Sequence, residues 1–432
     1  MTHRKWGRRQ GAAIAGSVET EVATWSIGKR HRQEIGGSWV EAEVVAVDTA
    51  TQIYGERQGS MTVRTRWLHL CWRLQRQLHL WCRWESEGDR AARRVLYEGN
   101  KWCLRLQGVL CTAETYDLLQ QCKLERLMFI RIISEPEVNG ACLLLSWHAE
   151  TLLSLEFTHC QLYPTVMDKI CRSVCQKGSQ SHGIQRFSIK SSQICETKPL
   201  TISSGLLNFL SSGKSLHLLS LNDTKMQSSF AQMIIHTLLE SSCGLHTLEI
   251  LENNIAGWLS NVNKSSTNSL ALKSDIFMNS LSALNLRENN LQKDDVVDLH
   301  KILIKIPNLR DLDISGNPIM DEGIRSLIPF ILWSIQKEDP LLRLTVENCE
   351  LSSIGVILLL ECLTTVKQPL DALSIADNHL GRRVFHGSCI GQILGSHARA
   401  LNAADIGLGT LGFQILEEAL PMEVALSHIN IR

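Results

Sequence analysis

Apolar residues recur along this chain in one phrase that joins strand-like to helix-like spacing. The clearest copy, residues 309–319, reads L-x-x-L-x-L-x-x-N-x-L, with Ile in two of the leucine positions. Alternating Leu312 and Ile314 predict a short strand with one buried face. Residues 324–328 carry apolar side chains at helical spacing, which predicts a helix. Asn317 stands at the turn between them, where its amide is expected to bond the backbone of neighbouring copies.

The same phrase can be laid along most of the chain. Copies are spaced by 28 to 36 residues. They begin at Leu124, Leu152, Ile184, Leu216, Leu245, Leu281, Leu309, Leu341, Leu370 and Ala398, and a shortened strand starts at Leu426. The turn position is Asn at 253, 289, 317 and 378 and Cys at 160 and 349. An ordinary amphipathic α/β domain does not explain a fixed period with Asn in phase.

Asn or Cys at this place, with this period, is the pattern of leucine-rich repeats. One such unit cannot bury its apolar side alone and needs copies on either side. The sequence therefore predicts an α/β fold: a leucine-rich repeat solenoid, or horseshoe, with parallel strands on the concave face and helices on the convex face. We assign residues 106–432 to this domain, as about ten to eleven repeats. The longest loop is expected between Trp258 and Ser280, where the sequence is polar.

Residues 1–105 form an Arg/Trp-rich region unlike the rest of the chain. Its first hundred residues hold 16 Arg and Lys against 11 Asp and Glu and contain no proline. Residues 67–81 can be wound as a helix with tryptophan and leucine on one side, which would suit a nucleic-acid or membrane surface. The region lacks helix caps and turn residues, so we interpret it instead as disordered or as a wrongly joined reading frame. Residues 114–122 predict a helix that leads into the first repeat.

Overall composition points to an intracellular protein. The net charge of the whole chain is zero. Because the first hundred residues are net basic, the repeat region after them is mildly acidic, and no direct nucleic-acid site is expected in it. The 14 cysteines are scattered without C-x-x-C pairs, which favours buried thiols in a reducing compartment. No apolar run is long enough for a membrane span, and the N-terminus lacks a signal-peptide core.

Catalytic and cofactor motifs are largely missing. Residues 208–215 resemble a phosphate-binding loop, but Asn208 stands where the first glycine is needed, and a turn between repeats is the better interpretation. Cys171 and Cys175 lie one helical turn apart, and His159 adjoins Cys160, yet neither pair has a second pair at zinc spacing. No esterase, metalloprotease or kinase motif occurs. We therefore expect no enzyme, no cofactor and no metal.

What remains as a functional feature is the strand surface. Side chains between the buried leucines point to the opposite face of the sheet, and solenoids use that concave face for extended binding. The candidate partner-binding residues are Glu249, Arg287, Asp311, Asp313, Arg343 and Glu347. Because four of them are acidic, a basic protein partner is expected. A merely solvated strand face is the alternative.

The repeats resemble the ribonuclease-inhibitor-like class of leucine-rich repeats. Residues 281–286 (Leu-Ser-Ala-Leu-Asn-Leu), 370–380 and 401–409 are more specifically similar to the C-terminal repeats of the plant Tonsoku family, also called Brushy or Mgoun. This resemblance covers residues 124–432 and implies a nuclear scaffold in replication-coupled genome maintenance and chromatin inheritance. The tetratricopeptide repeats of the plant family have no counterpart in the Arg/Trp-rich region. Family members contact histones through other parts of their chains, so histone binding is not carried over to any residue here.

Two alternatives stay open within the same class of repeats. A regulator resembling Ran GTPase-activating protein would assist an enzyme, and it would carry a catalytic Arg and an acidic tail. The sequence at residues 429–432 lacks such a tail. A fragment of an intracellular immune receptor would need a nucleotide-binding domain upstream. A cytoplasmic location is the alternative to the nucleus.

Overall fold

A computed structural model describes most of the chain after residue 122 and a few strands before it. The described residues are 28–35, 38–45, 101–107, 123–175, 181–195, 203–241, 244–260, 278–337, 340–365, 368–378, 380, 398–407, 409–410, 414 and 426–431. The chain divides into two compact units, Met1–Trp67 and Leu68–Arg432. Within the first unit, β1 (Gly28–Ile35) and β2 (Ser38–Val45) pair as an antiparallel hairpin.

The second unit is built on one sheet of 12 strands that follow one another in chain order. Every neighbouring pair in this sheet is parallel. The strands are β3 (Lys101–Gln107), β4 (Lys123–Ile130), β5 (Ser154–Thr158), β6 (Arg186–Lys190), β7 (Leu218–Asn222), β8 (Thr247–Leu251), β9 (Ala283–Asn285), β10 (Asp311–Asp313), β11 (Arg343–Thr345), β12 (Leu370–Ser374), β13 (Ala398–Asn402) and β14 (His428–Asn430).

Helices alternate with these strands and return the chain to the start of the next one. They are α1 (Glu135–His148), α2 (Pro164–Val174), α3 (Ser204–Ser212), α4 (Ser228–Glu240), α5 (Lys293–Leu303), α6 (Met320–Ile335) and α7 (Ser353–Thr364). Each described helix packs on its neighbour along the chain, except where the intervening segment lies outside the described residues. Strands therefore form one layer and helices the other, as predicted for a leucine-rich repeat solenoid.

Every strand predicted from the repeated phrase is present, and in the same sheet β3 precedes them. β3 runs across residues 105 and 106, where the sequence suggested a domain boundary, and Leu106 is buried. The boundary itself stays a prediction. The expected helices over residues 67–81 and 114–122, and the loop at 261–277, lie outside the described residues. The interpretation of residues 208–215 as a turn between repeats is wrong in part, because residues 208–212 form the second half of α3, and the turn is confined to the residues from Gly213 onward.

The core lies between the strand layer and the helix layer. In β8, Leu248 and Ile250 are fully buried, whereas Thr247, Glu249 and Leu251 on the other face are partly exposed. This alternation follows from the two-residue period of a strand. The side of the sheet away from the helices is the concave face, and it carries the residues that the phrase leaves between its leucines.

Buried asparagines close the turns after β8, β9, β10 and β12. Asn317 accepts hydrogen bonds at Oδ1 from the backbone N–H groups of Asn289 (2.9 Å) and Leu291 (3.0 Å) in the preceding coil. Its Nδ2 donates to Leu286 O at 2.9 Å and to Ile314 O at 2.7 Å. The same pattern holds at Asn253, Asn289 and Asn378. We call this set the asparagine ladder, and it confirms the expected role of the turn position.

A second link joins helix starts in successive coils. Asp168 Oδ1 accepts hydrogen bonds from Ser203 Oγ (2.6 Å) and Gly205 N (2.7 Å) at the start of α3. Asp321 likewise accepts from the N–H of Ser352 at 2.9 Å, just before α7. A Cβ added to Gly205 would stand 2.7 Å from Asp168 Oδ1, so glycine is required for this approach. The acidic first turn of α6 therefore serves the helix after it.

We predict that Asn317→Ala sharply lowers the free energy of unfolding. The change leaves backbone donors and acceptors of two coils buried without partners, at a cost of about 1–3 kcal/mol each. The urea midpoint of the full chain measures the effect. Asn139→Ala is the matched control, because Asn139 is exposed on α1 and alanine is a favourable residue in a helix. An Asn317→Ala midpoint equal to that of the control would contradict the structural role of the ladder.

A buried histidine makes the stability of this unit depend on pH. His182 stacks on Phe209 with ring centroids 3.8 Å apart, and its Nδ1 accepts from Ile184 N at 3.2 Å. Its Nε2 lies 2.9 Å from Phe209 O, to which the neutral ring can donate. Burial lowers the pKa of His182, against a smaller opposing effect of the Phe209 carbonyl. Burial also lowers the pKa of His148 and His300.

We predict that stability falls as the pH drops below the ordinary histidine pKa of 6.5. The unfolded chain takes up these protons first, so stability present above 6.5 is lost as pH falls through the lowered folded values. Each histidine contributes a slope of at most about 1.4 kcal/mol per pH unit. Urea unfolding across this range should show a shallower slope for His182→Asn than for the unchanged chain. Equal slopes would exclude His182 as one of the titrating groups.

Candidate binding surface

The concave face is an ordered grid, because the strands stack in parallel register. Two columns of outward side chains run across β4 to β13, one residue per strand in each column, and a third runs from β5 to β8. The middle column contains Glu156, Ser188, Ser220, Glu249, Asn285, Asp313, Thr345, Ser374 and Asn402. Neighbours in a column are separated by about 4.8 Å at the backbone, so a partner can touch several coils at once.

All six candidate residues lie on this face, over β8 to β11 and the turns that follow β9 and β11. Arg343 pairs across strands with Asp311, with 3.4 Å between Nη1 and Oδ2. Arg287 Nε lies 2.9 Å from Glu288 Oε1. The hydrogen bond that Arg287 donates to Glu288 raises the pKa of Arg287, and the charges of Asp313 and Glu347 add to this effect. Both candidate arginines are therefore already engaged by carboxylates of the same chain.

Glu347 is the centre of a hydrogen-bonded network over the later strands. Its Oε1 accepts from Ser374 Oγ and from Asn402 Nδ2, the latter at 3.1 Å. Its Oε2 lies 3.9 Å from Arg287 Nη1. Asn430 Nδ2 continues the network to Asn402 Oδ1 at 2.9 Å. Sequence reasoning placed Glu347 on this face but gave no sign of these partners, which lie 27 to 60 residues away.

Glu249 and Asp313 differ from the other four candidates. Neither forms an ion pair with another of the described residues, although Asp313 Oδ1 accepts from the backbone N–H of Ser315 at 3.0 Å. They stand in the middle column with Asn285 between them. Two of the four candidate carboxylates, Glu249 and Asp313, thus form no ion pair with another described residue, although the charge of Asp313 acts on Arg287.

The thiols and histidines offer no metal or nucleophilic site in the part of the chain that the structure describes. Seven of its cysteines form no disulfide, and no group of three or more His, Cys, Asp or Glu residues there could hold a metal ion. Burial raises the pKa of Cys171, and it raises the pKa of Cys349 to about 12, so both remain protonated thiols. Cys160 Sγ lies 3.3 Å from Thr158 O at the turn position. Among the described helices, none is long and apolar enough to cross a membrane.

We predict that Glu347→Ala destabilises the fold more than Arg343→Ala. The first change removes the shared acceptor of Ser374 and Asn402, worth about 1 kcal/mol or more. The second removes a pair whose Arg343 side chain is 62% exposed, and exposed pairs contribute about 0–1 kcal/mol. Urea unfolding of both variants gives the comparison. The reverse order would show that the Glu347 network does not stabilise the concave face.

Comparisons with known proteins found a family model and a solved structure that are similar to this chain. A family model described as a leucine-rich repeat matches residues 305–327, which hold β10 and the start of α6. No curated protein matches the chain significantly. Among solved structures, an internalin (InlF) from Listeria monocytogenes strain 4b F2365 is 15% identical, with 79% of this chain and 89% of that chain covered and a TM-score of 0.42. The matched repeat and the observed strand and helix order together make the fold that of a leucine-rich repeat solenoid.

Proposed function

We propose that this chain is a non-enzymatic scaffold that binds a protein partner on its concave face. The observation that carries the proposal is the middle column, where polar side chains of successive coils stand side by side on a surface not covered by helices. Solenoid repeats of this kind use such faces for extended contacts. Glu249 and Asp313 favour a basic partner, because neither forms an ion pair with another described residue.

We further propose a role like that of the Tonsoku family, in replication-coupled genome maintenance and chromatin inheritance, with a nuclear location. What supports this role is the resemblance of residues 281–286, 370–380 and 401–409, which fall on β9, on β12 with the turn after it, and on β13 with the turn after it. Partners of that role, chromatin and replication proteins, include many basic chains. Their positive charge would complement the carboxylates of Glu249 and Asp313. The scaffold would hold such a partner without acting on it.

The test is recruitment in cells. The full chain fused to a fluorescent protein is expected in the nucleus, at sites that incorporate a thymidine analogue. The double variant Glu249→Arg with Asp313→Arg is expected to lose these sites, because it repels a basic partner and keeps the buried core. Glu322→Arg is the control, since Glu322 is exposed on α6. A cytoplasmic location would overturn the Tonsoku-like role. Unchanged sites in the double variant would overturn the concave face as the binding surface.

A further inference from the structure

The concave face holds buried polar atoms with no hydrogen-bond partner, and they cluster on β6 and β7. Ser188 Oγ, Ser220 Oγ and Asn222 Oδ1 are all unpartnered. Ser188 is 8% exposed and Ser220 is 2% exposed. Buried polar groups of folded proteins almost always find a partner, because leaving one without a partner lowers stability. Three such atoms together mark a place where something else completes the bonding.

These atoms face the concave side rather than the core. Ser220 alternates along β7 with Leu219 and Leu221, both fully buried against the helices. Asn222 lies two residues further along β7, on the same face. Ser188 stands beside Ser220 in register on β6. The two serines are small, and their neighbours in the column are Glu156 on β5 and Glu249 on β8.

The polar groups around Ser188 and Ser220 are mainly hydrogen-bond acceptors. Glu249 stands beside Ser220 in register on β8 and is partly exposed, with no ion pair to another described residue. Ser220 and Glu249 are cross-strand neighbours with backbones about 4.8 Å apart, and Asn222 lies two residues, about 6.6 Å, further along β7. We call this group the β7–β8 acceptor site.

Cations of the same chain do not fill the site. Lys190 stands beside Asn222 in register, but its Nζ is held by Glu156 Oε1 at 3.1 Å. Arg186 lies on the same strand as Lys190 but at the other end, on the far side of Ser188 from Asn222. Asn222 Oδ1 keeps no partner despite both neighbours.

We propose that the β7–β8 acceptor site receives an arginine side chain of the protein partner. A guanidinium carries five N–H donors in a planar fork and stays charged, so it can serve a carboxylate, a carboxamide oxygen and a hydroxyl together. Its positive charge complements Glu249. This inference rests on the proposed function, because it places the anchoring contact of the partner on the concave face.

The experiment uses the full chain and a library of short random peptides displayed on phage. Peptides selected on the unchanged chain are expected to share an arginine, and replacing it by citrulline should abolish binding because the charge is lost. Glu249→Gln should weaken binding by about tenfold or more, since charge-assisted hydrogen bonds are the strong ones. Ser220→Ala should weaken it several-fold. Glu322→Gln and Ser326→Ala, on the exposed face of α6, are the matched controls.

A stability measurement separates a ligand-binding serine from a structural one. Because Ser220 Oγ has no partner in the free chain, Ser220→Ala is expected to leave the melting temperature unchanged or raise it. A clear fall in the melting temperature would overturn the proposal, and so would selected peptides without arginine. Peptides that respond to Asp313→Lys but ignore Ser220 and Glu249 would overturn this site while leaving the concave-face function standing. A selection in which no peptide responds to any concave-face variant would count against both.

Discussion

A turn buried between two coils exposes backbone donors and acceptors to a dry interior, and one side chain per coil must satisfy them. In the asparagine ladder, the carboxamide of Asn317 or Asn378 accepts from N–H groups of the coil before it and donates to carbonyls of both coils. A carboxamide can do this because it offers acceptor and donor atoms in one plane. Cys160 and Cys349 occupy the same position with a weaker, single-atom group. These contacts hold successive coils together at the turns after β8, β9, β10 and β12.

The ladder explains why the phrase in the sequence predicts the strands so well. The apolar positions set which face of each strand is buried, and Asn or Cys in phase sets where each strand ends. β3 was not predicted, because residues 101–107 alternate apolar and polar but have no such turn residue after them. The role of Asp321 was also hidden. An acidic residue in a first turn is explained by its own helix, and only the structure shows that it bonds Ser352 of the next coil.

The candidate site shows a different limit of sequence reasoning. Alternation assigns Glu347 and Arg343 to the concave face, but it says nothing about lateral neighbours, which come from other coils. Counting charges in the sequence therefore makes all six candidate residues look equally available to a binding partner. In the structure Arg343 meets Asp311, and Glu347 joins Arg287, Ser374 and Asn402. Spacing between repeats varies from 28 to 36 residues, so these partners cannot be found without knowing the register.

The concave face is consequently divided into two parts that differ in how their polar groups are satisfied. Around Glu347 the donors and acceptors serve one another, which makes that part a rigid surface with little to offer a ligand. Around Ser220, the hydroxyl group and the Asn222 carboxamide oxygen have no hydrogen-bond partner. Unsatisfied groups lower stability in the free chain, and the deficit is recovered only when a partner supplies the missing bonds. Binding is thus expected to be strongest where polar groups of the free chain lack hydrogen-bond partners. This expectation favours an anchor on β7 and β8 over one on the more strongly charged strands β10 and β11.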